Sequence, residues 1–299
     1  MKLIKPEFQI IEPTGYTIDD IYKSIELAGR VSHKSEDKIT ETSAKDFVGR
    51  MLNMKHLATC EFGTVYLNIP NGLISQALYG NLVDKYSENA YSISVPYVEK
   101  TGLMSIGRAA ITTNYRVLVE NNWLDDLQYL CEPTEYHHKR YTVKFILDRA
   151  IANEFVRHRK FSFLQESTRY CRYSSNKFNN ELTFIQPIWA YHQEDGDYGT
   201  LGNPKRKNVG NKDGVFFDFI KSLQYAEHYY LTLVKQGWKA EEARNILPLS
   251  LKTELYMCGF AEDWEQFFKL RTASNAHPQA KELAIPLKEE FIKRGYINE

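Results

Sequence analysis

Cysteine is scarce in this chain: Cys60, Cys131, Cys171 and Cys258 are the only four in 299 residues, and no two stand as a Cys-x-x-Cys pair. That usage excludes a zinc knuckle and a dense disulfide framework, and it suits buried thiols in a reducing cytoplasm. No stretch reaches the roughly 18 consecutive apolar residues that a membrane-spanning helix needs. The opening Met1-Lys2-Leu3-Ile4-Lys5-Pro6-Glu7 also lacks the apolar core of a secretory leader. Neither sign of charge is in excess, with 38 Lys plus Arg against 38 Asp plus Glu. No bulk field then favours nucleic acid or a membrane surface, so an anionic ligand must be held by a local cluster.

What the sequence does have is aromatic weight: 13% Phe, Tyr and Trp, including 20 tyrosines. Such rings fill cores and also stack on planar ligands. The length suits one large domain over residues 1–299. Thr17 is placed to cap a helix running to about Gly29, with Ile18, Ile21, Ile25 and Ala28 on one face. Ser43 is placed to cap a second helix through Phe47, Met51 and Leu52, and Thr64–Pro70 reads as a strand. Ser92–Val95 and Arg116–Val119 read as short extended or helical pieces. Tyr141–Leu147 is a strand that runs into a helix from Arg149 to His158, and Thr183–Ile185 is a further strand. Residues 192–214 read as an exposed loop. A long helix follows from about 215 to 235 and stops at Gly237, then helices at about 239–258, 263–271 and 279–293. The fold class is α+β, an antiparallel-type sheet with several long helices.

The densest chemistry lies in Arg157-His158-Arg159-Lys160-Phe161-Ser162-Phe163-Leu164-Gln165-Glu166-Ser167-Thr168-Arg169-Tyr170. Guanidinium forks bind phosphate oxygens bidentately, and a loop that follows a helix end adds hydroxyls and free amides. Glu154 falls three and four residues before Arg157 and His158, on the same helical face. The bland alternatives are a solvated basic patch or an Arg/aromatic surface for single-stranded nucleic acid.

Arg157-His158-Arg159, seven residues, then Ser167 resembles the RHR-x7-S signature of the flavin-dependent thymidylate synthases, and Arg169-Tyr170 resembles its usual ending. Further segments agree in order. Ala28-Gly29-Arg30-Val31-Ser32 resembles the family's A-R-V-S segment, and His56 and Glu61 its H-x4-E pattern. Arg244-Asn245-Ile246-Leu247-Pro248-Leu249 resembles its A-R-x-x-L-P-L segment, with Leu270-Arg271 following at the family's spacing, Arg271 coming 27 residues after Arg244.

The resemblance implies a homotetrameric methyltransferase of nucleotide biosynthesis whose active sites lie between subunits. It implies FAD as cofactor, NADPH as reductant, 5,10-methylenetetrahydrofolate as one-carbon donor and dUMP as substrate, with neither nucleic acid nor membrane as partner. By similarity, FAD is held by His56, Thr59, Glu61, Arg157, His158, Arg159, Gln165 and Gln266. The dUMP site is lined by Glu154, Arg157, Gln165, Glu166, Ser167, Thr168, Arg169, Arg244 and Arg271, with Arg271 the catalytic residue that polarises the pyrimidine. No metal is expected.

Departures stand beside the match. The family's usual Gln three before the RHR is Glu154 here, and its Glu two before the motif Ser is Gln165, which suggests a compensating exchange. Leu164 and Phe260 replace asparagines, and residues 71–140 look like an insertion. Those departures leave a catalytically inactive relative as an alternative to the enzyme. Cys171 adjoins the motif as a conceivable nucleophile, but the resembled class needs no enzyme thiolate. His137-His138 lack a third metal ligand and read as a surface turn.

Overall fold

In the computed structural model the described residues are 1–72, 82–101, 104–190, 195–201 and 214–298. Along the chain come β1 (Lys2–Ile4), β2 (Glu7–Ile11), α1 (Ile18–Arg30), α2 (Ser43–Asn53) and β3 (Thr64–Pro70). Next are α3 (Asp84–Ser87), β4 (Ile93–Thr101), β5 (Met104–Asn114), α4 (Tyr115–Glu120), β6 (Arg140–Asp148), α5 (Arg149–Phe155) and β7 (Ser162–Gln165). The rest of the chain holds β8 (Thr183–Ile185), β9 (Gly196–Asp197), α6 (Gly214–Lys235), α7 (Ala240–Ala243), β10 (Lys252–Phe260), α8 (Ala261–Arg271) and α9 (Pro278–Lys293). The class is α+β, as expected, but the strands form three sheets rather than one.

The sheet that positions the motif is antiparallel, in the order β2-β6-β10-β7. Alternation along β6 buries Val143, Phe145 and Leu147 on one face while Thr142, Lys144 and Ile146 are only partly covered on the other. The first face packs on α5, α8 and α9 through Phe155, Phe161, Trp264, Phe267, Leu287 and Phe291. The second face meets α1 and the turn before β3, where Ala28, Val31, Phe62, Tyr256 and Cys258 cluster. A separate antiparallel sheet, β3-β5-β4, backs onto α1 and α2. In the third, β8-β1-β9, β1 runs parallel to β8 and packs with α6.

Several elements follow the sequence closely. Thr17 caps α1 in a reciprocal box with Asp20. The Thr64–Pro70 strand has the bounds read from its residues. Gly237 follows α6 at φ +104°, a conformation open to glycine but strained for other residues.

Other expectations are corrected. Ser43 is not a cap: it is the first helical residue, and its hydroxyl accepts from the Thr40 amide (2.9 Å) and donates to Glu26 (2.8 Å). The helix expected over 239–258 gives way to a one-turn helix, a 3-10 turn at Arg244–Ile246 and the strand β10. β10 is buried on both faces, so it lacks the alternation that marks a half-exposed strand. Residues 195–201 of the expected exposed loop include β9 and the buried Tyr198; the remainder of 192–214 lies mostly outside the described residues. His137 is not a surface turn. It is buried, with Nε2 3.1 Å from the Leu67 carbonyl and Nδ1 accepting from the Thr134 amide. Among the described residues no helix is long and apolar enough to cross a membrane.

Gly259 on β10 is a close-approach position, because a Cβ there would lie 2.5 Å from the Phe161 ring. Phe161 belongs to the core and cannot yield freely, so Gly259→Ala is predicted to destabilise the fold by about 1–3 kcal/mol through overpacking. Thermal unfolding of the variant checks this, and an unchanged Tm would show that the ring relaxes.

Candidate active site

The helix α5 starts where the Asp148 carboxylate accepts the Ile151 amide (2.8 Å) and stops at Phe155, three residues short of the expected end. The early stop matters, because the carbonyls of a last helical turn lack intrahelical partners. The Glu154 carbonyl accepts from Arg271 Nη2 at 2.6 Å, while the Glu154 carboxylate takes Nη1 of the same guanidinium at 2.6 Å. The third nitrogen, Nε, donates to His158 Nε2 at 2.9 Å. Arg271 closes α8, so this clasp ties the end of α8 to the end of α5.

Because Nε2 accepts, His158 is neutral with its proton on Nδ1. Burial, then the neighbouring Arg271 charge, pushes its pKa down to about 4. Aromatic rings close the surroundings: Phe267 lies 5.0 Å from the imidazole centroid, and Phe155 lies 5.8 Å beneath the Arg271 guanidinium. Arg157 and Arg159, on either side of His158, are exposed. No carboxylate is paired with either among the described residues.

Strand parity then divides the rest of the motif. Gln165 faces the α8 side, paired opposite Leu255, with its amide donating to Thr253 Oγ1 (3.2 Å). Glu166 turns to the opposite face and is 1% exposed, its carboxylate held by Lys252 Nζ (2.8 Å) and the Tyr173 hydroxyl (2.9 Å). The Ser167 amide donates to the Ser32 carbonyl (3.2 Å), which brings the N-terminal Ala28–Ser32 segment against the loop. The Ser167 hydroxyl accepts the Arg169 amide (3.3 Å), and Thr168 is buried. Arg169 is exposed, 3.6 Å from Glu241 on α7. Arg244 emerges just beyond that helix, exposed and with no acid partner among the described residues.

His56 is exposed, Thr59 is buried and donates to the His56 carbonyl (2.8 Å), and Glu61 pairs with Arg116 (2.5 Å). His33 joins this segment to the loop: it stacks on Tyr170 at 4.1 Å, and burial followed by the nearby His56 lowers its pKa. Gln266 is exposed on α8. One chain thus brings Glu154, His158 and Arg271 together, and sets Ser167 and Arg169 beside Ser32 and α7. It places the side chains of Arg157, Arg159 and Gln266 on exposed surface, although the Arg157 amide still donates to the Glu154 carbonyl (3.4 Å).

Some residues of this region had no signal in the sequence. Arg140 donates to the Glu61 carbonyl (3.1 Å) and to Thr64 Oγ1 (3.2 Å), and its guanidinium lies 5.7 Å from the Phe260 ring. Lys252 and Glu254, two apart on β10, belong to one face of a strand; that spacing is informative only once the segment is known to be extended. Burial raises the Glu254 pKa, but Lys252 and Lys34 outweigh it and hold the carboxyl well below its usual range. Cys171, buried and donating to the Ser32 carbonyl (3.7 Å), is pushed up to about 12 by burial and then by Glu166, so it remains a thiol at neutral pH.

Residues 109–294 match the family model described as thymidylate synthase complementing protein (Thy1). A probable flavin-dependent thymidylate synthase of Paramecium bursaria Chlorella virus 1 is 28% identical over 223 residues, covering 69% of this chain and 94% of that protein. A flavin-dependent thymidylate synthase of Synechocystis sp. is 26% identical over 164 residues, covering 51% of this chain and 66% of its own. Among solved structures, a UMP/dUMP methylase from Streptomyces cacaoi bound with 5-Br UMP aligns at TM-score 0.44 and 15% identity, over 98% of this chain and 92% of that one.

The depressed pKa of His158 has a signed consequence. Its ordinary value is 6.5 and its folded value about 4, so in that window the unfolded chain binds a proton that the native chain refuses. Stability is therefore predicted to fall as pH drops from about 6.5 towards 4 and to be flat with respect to this group above 6.5. Thermal unfolding against pH for the protein and His158→Gln checks this: the variant loses that part of the slope, and identical slopes would contradict it.

Proposed function

The chain belongs to the thymidylate synthase complementing protein family, and on that premise we propose that it is a flavin-dependent thymidylate synthase. It methylates dUMP to dTMP with FAD as cofactor, NADPH as reductant and 5,10-methylenetetrahydrofolate as one-carbon donor. The observation that carries this reading is the clasp of Arg271 by Glu154 and His158 within one turn of the Arg157-His158-Arg159 motif.

The donor set suits a flavin dinucleotide. Arg157 and Arg159 are exposed cations on either side of His158, and such guanidinium forks suit the oxygens of a pyrophosphate. His56, Thr59, Glu61, Gln165 and Gln266 complete the proposed FAD contacts. When bound, FAD supplies the redox chemistry, taking hydride from NADPH and relaying reducing equivalents with the one-carbon unit.

The chain's own groups do the rest. Ser167, Thr168, Arg169, Arg244 and Arg157 hold the nucleotide phosphate and ribose, with Glu166 anchoring the loop from its inner face. Arg271 lies against the O2/N3 edge of uracil and stabilises the negative charge that must gather in the ring before C5 becomes nucleophilic. A guanidinium suits that role because it cannot give up its proton. Glu154 and His158 fix the direction of the Arg271 fork, and Phe155 and Phe267 exclude water from its back. Glu154 and Gln165 exchange the carboxylate and amide positions that the family usually fills the other way round.

Arg157 and Arg159 lie on exposed surface apart from the Ser167 loop, which fits active sites completed between subunits of a homotetramer. Residues 71–140 are proposed as an insertion in a single domain spanning 1–299. The four cysteines are free, which suits the cytoplasm as the enzyme's location.

Purified protein is predicted to carry a flavin chromophore and to form dTMP only when dUMP, NADPH and methylenetetrahydrofolate are all present. A colourless protein that binds oligonucleotides would contradict the reading. Arg271→Ala is expected to keep its flavin and lose roughly 10²–10³-fold in kcat; near-normal turnover would remove Arg271 from the mechanism. Glu154→Gln weakens dUMP binding, and adding Gln165→Glu restores it; simple additivity of two losses would reject the exchange.

A further inference from the structure

The loop that carries Ser167 and Arg169 has two anchors, and both lead to one ionic lattice around the buried Glu166 and Glu254 carboxylates. The first is the Glu166 side chain, 1% exposed and bonded to Lys252 Nζ (2.8 Å) and the Tyr173 hydroxyl (2.9 Å). The second is the Ser167 amide on the Ser32 carbonyl (3.2 Å), two residues before Lys34. Lys34 and Lys252 meet on the Glu254 carboxylate at 2.8 and 2.7 Å, with Lys144 at 2.8 Å from its other oxygen. Glu36 also pairs with Lys34 (3.0 Å), so three lysines face three carboxylates. The Glu166 amide, finally, donates to the Glu254 carbonyl (2.9 Å).

A carboxylate this deeply buried stays charged only while its partners hold it. Glu166 also sits where β7 ends, so its inward direction fixes which way the next residues leave the sheet. Glu166 and Tyr173 are not placed to touch the nucleotide, since both are buried on the inner side of the loop.

We propose that Lys252, Glu166 and Tyr173 are positioning residues that aim the Ser167 loop at the phosphate of its pyrimidine nucleotide. This rests on the dUMP site proposed above. The lattice sets nucleotide affinity without entering the reaction. Among site residues it acts on the Ser167–Arg169 group alone, because the Arg271 clasp lies on the opposite face of the sheet.

The test compares Lys252→Met, Lys252→Arg and Tyr173→Phe in the flavin-loaded full chain, by calorimetric titration with dUMP and by steady-state kinetics. Lys252→Met removes the cation from a buried acid, and is expected to raise the dUMP Kd and KM about tenfold or more. The flavin content and kcat should stay within about twofold. Tyr173→Phe shifts Kd and KM the same way by roughly threefold, and Lys252→Arg restores them towards the original. If Lys252→Met does not fold, Glu166→Leu with Lys252→Leu removes both charges; it is expected to fold and still bind dUMP weakly. Unchanged dUMP affinity in the folded variants, or a loss of kcat and flavin with KM intact, would overturn the proposal. Failure of the unmodified protein to bind dUMP would overturn the site itself, and is read separately from the comparison of variants.

Discussion

A guanidinium set among aromatic rings must be neutralised where it sits, and Arg271 meets that condition without a free acid roaming nearby. Its three nitrogens end on the Glu154 carboxylate, the Glu154 carbonyl and the His158 ring. The carbonyl is free of an i+4 helical partner because α5 stops at Phe155, and burial with the Arg271 charge keeps the accepting imidazole neutral well below neutral pH. The helix end, the histidine's protonation and the arginine's aim are therefore one interdependent arrangement. It orients a cation without filling the exposed surface beside it, where Arg157 and Arg159 stand.

β10 separates the two halves of the site. Its Thr253 and Leu255 face the side of α8 and meet Gln165, whereas Glu254 and Lys252 face the ionic lattice beneath Ser167. Alternation along a single strand thus separates the side of the Arg271 clasp from the side of the Ser167 loop anchors. It runs between β6 and β7, buried over Thr253–Gly259, and bonds to both.

Much of this was legible in the residues, and what was not has physical causes. The motif from Arg157 to Tyr170 and the segments around Arg30, His56, Arg244 and Arg271 pointed to the family to which the chain belongs. The caps and periodicity of α1, β3 and α6 gave their elements directly, since each has one covered and one open face or a clear stop signal. β10 was misread as helix because a strand buried on both sides carries no period of two. That error also hid Lys252 and Glu254, whose spacing places them on one face only if the chain is extended. His33 and Arg140 were invisible for another reason: their partners, Tyr170 and the Glu61 carbonyl, are distant in sequence, and neither pairing leaves a local pattern. The early end of α5 was likewise unreadable, because Val156, Arg157 and His158 are all compatible with a continuing helix.

The central claim is that side chains from α8, the Ser167 loop and the segment after α7 converge on one pyrimidine nucleotide. A crystal structure of the assembled protein with 5-iodo-dUMP tests it most directly, because the iodine marks C5 independently of the protein's phases. The account predicts iodine above a flavin ring, the base edge at Arg271, and the phosphate shared by Ser167, Arg169 and Arg244. Iodine located away from Arg271, with the phosphate in solvent and those three side chains on unrelated surfaces of the oligomer, would contradict it.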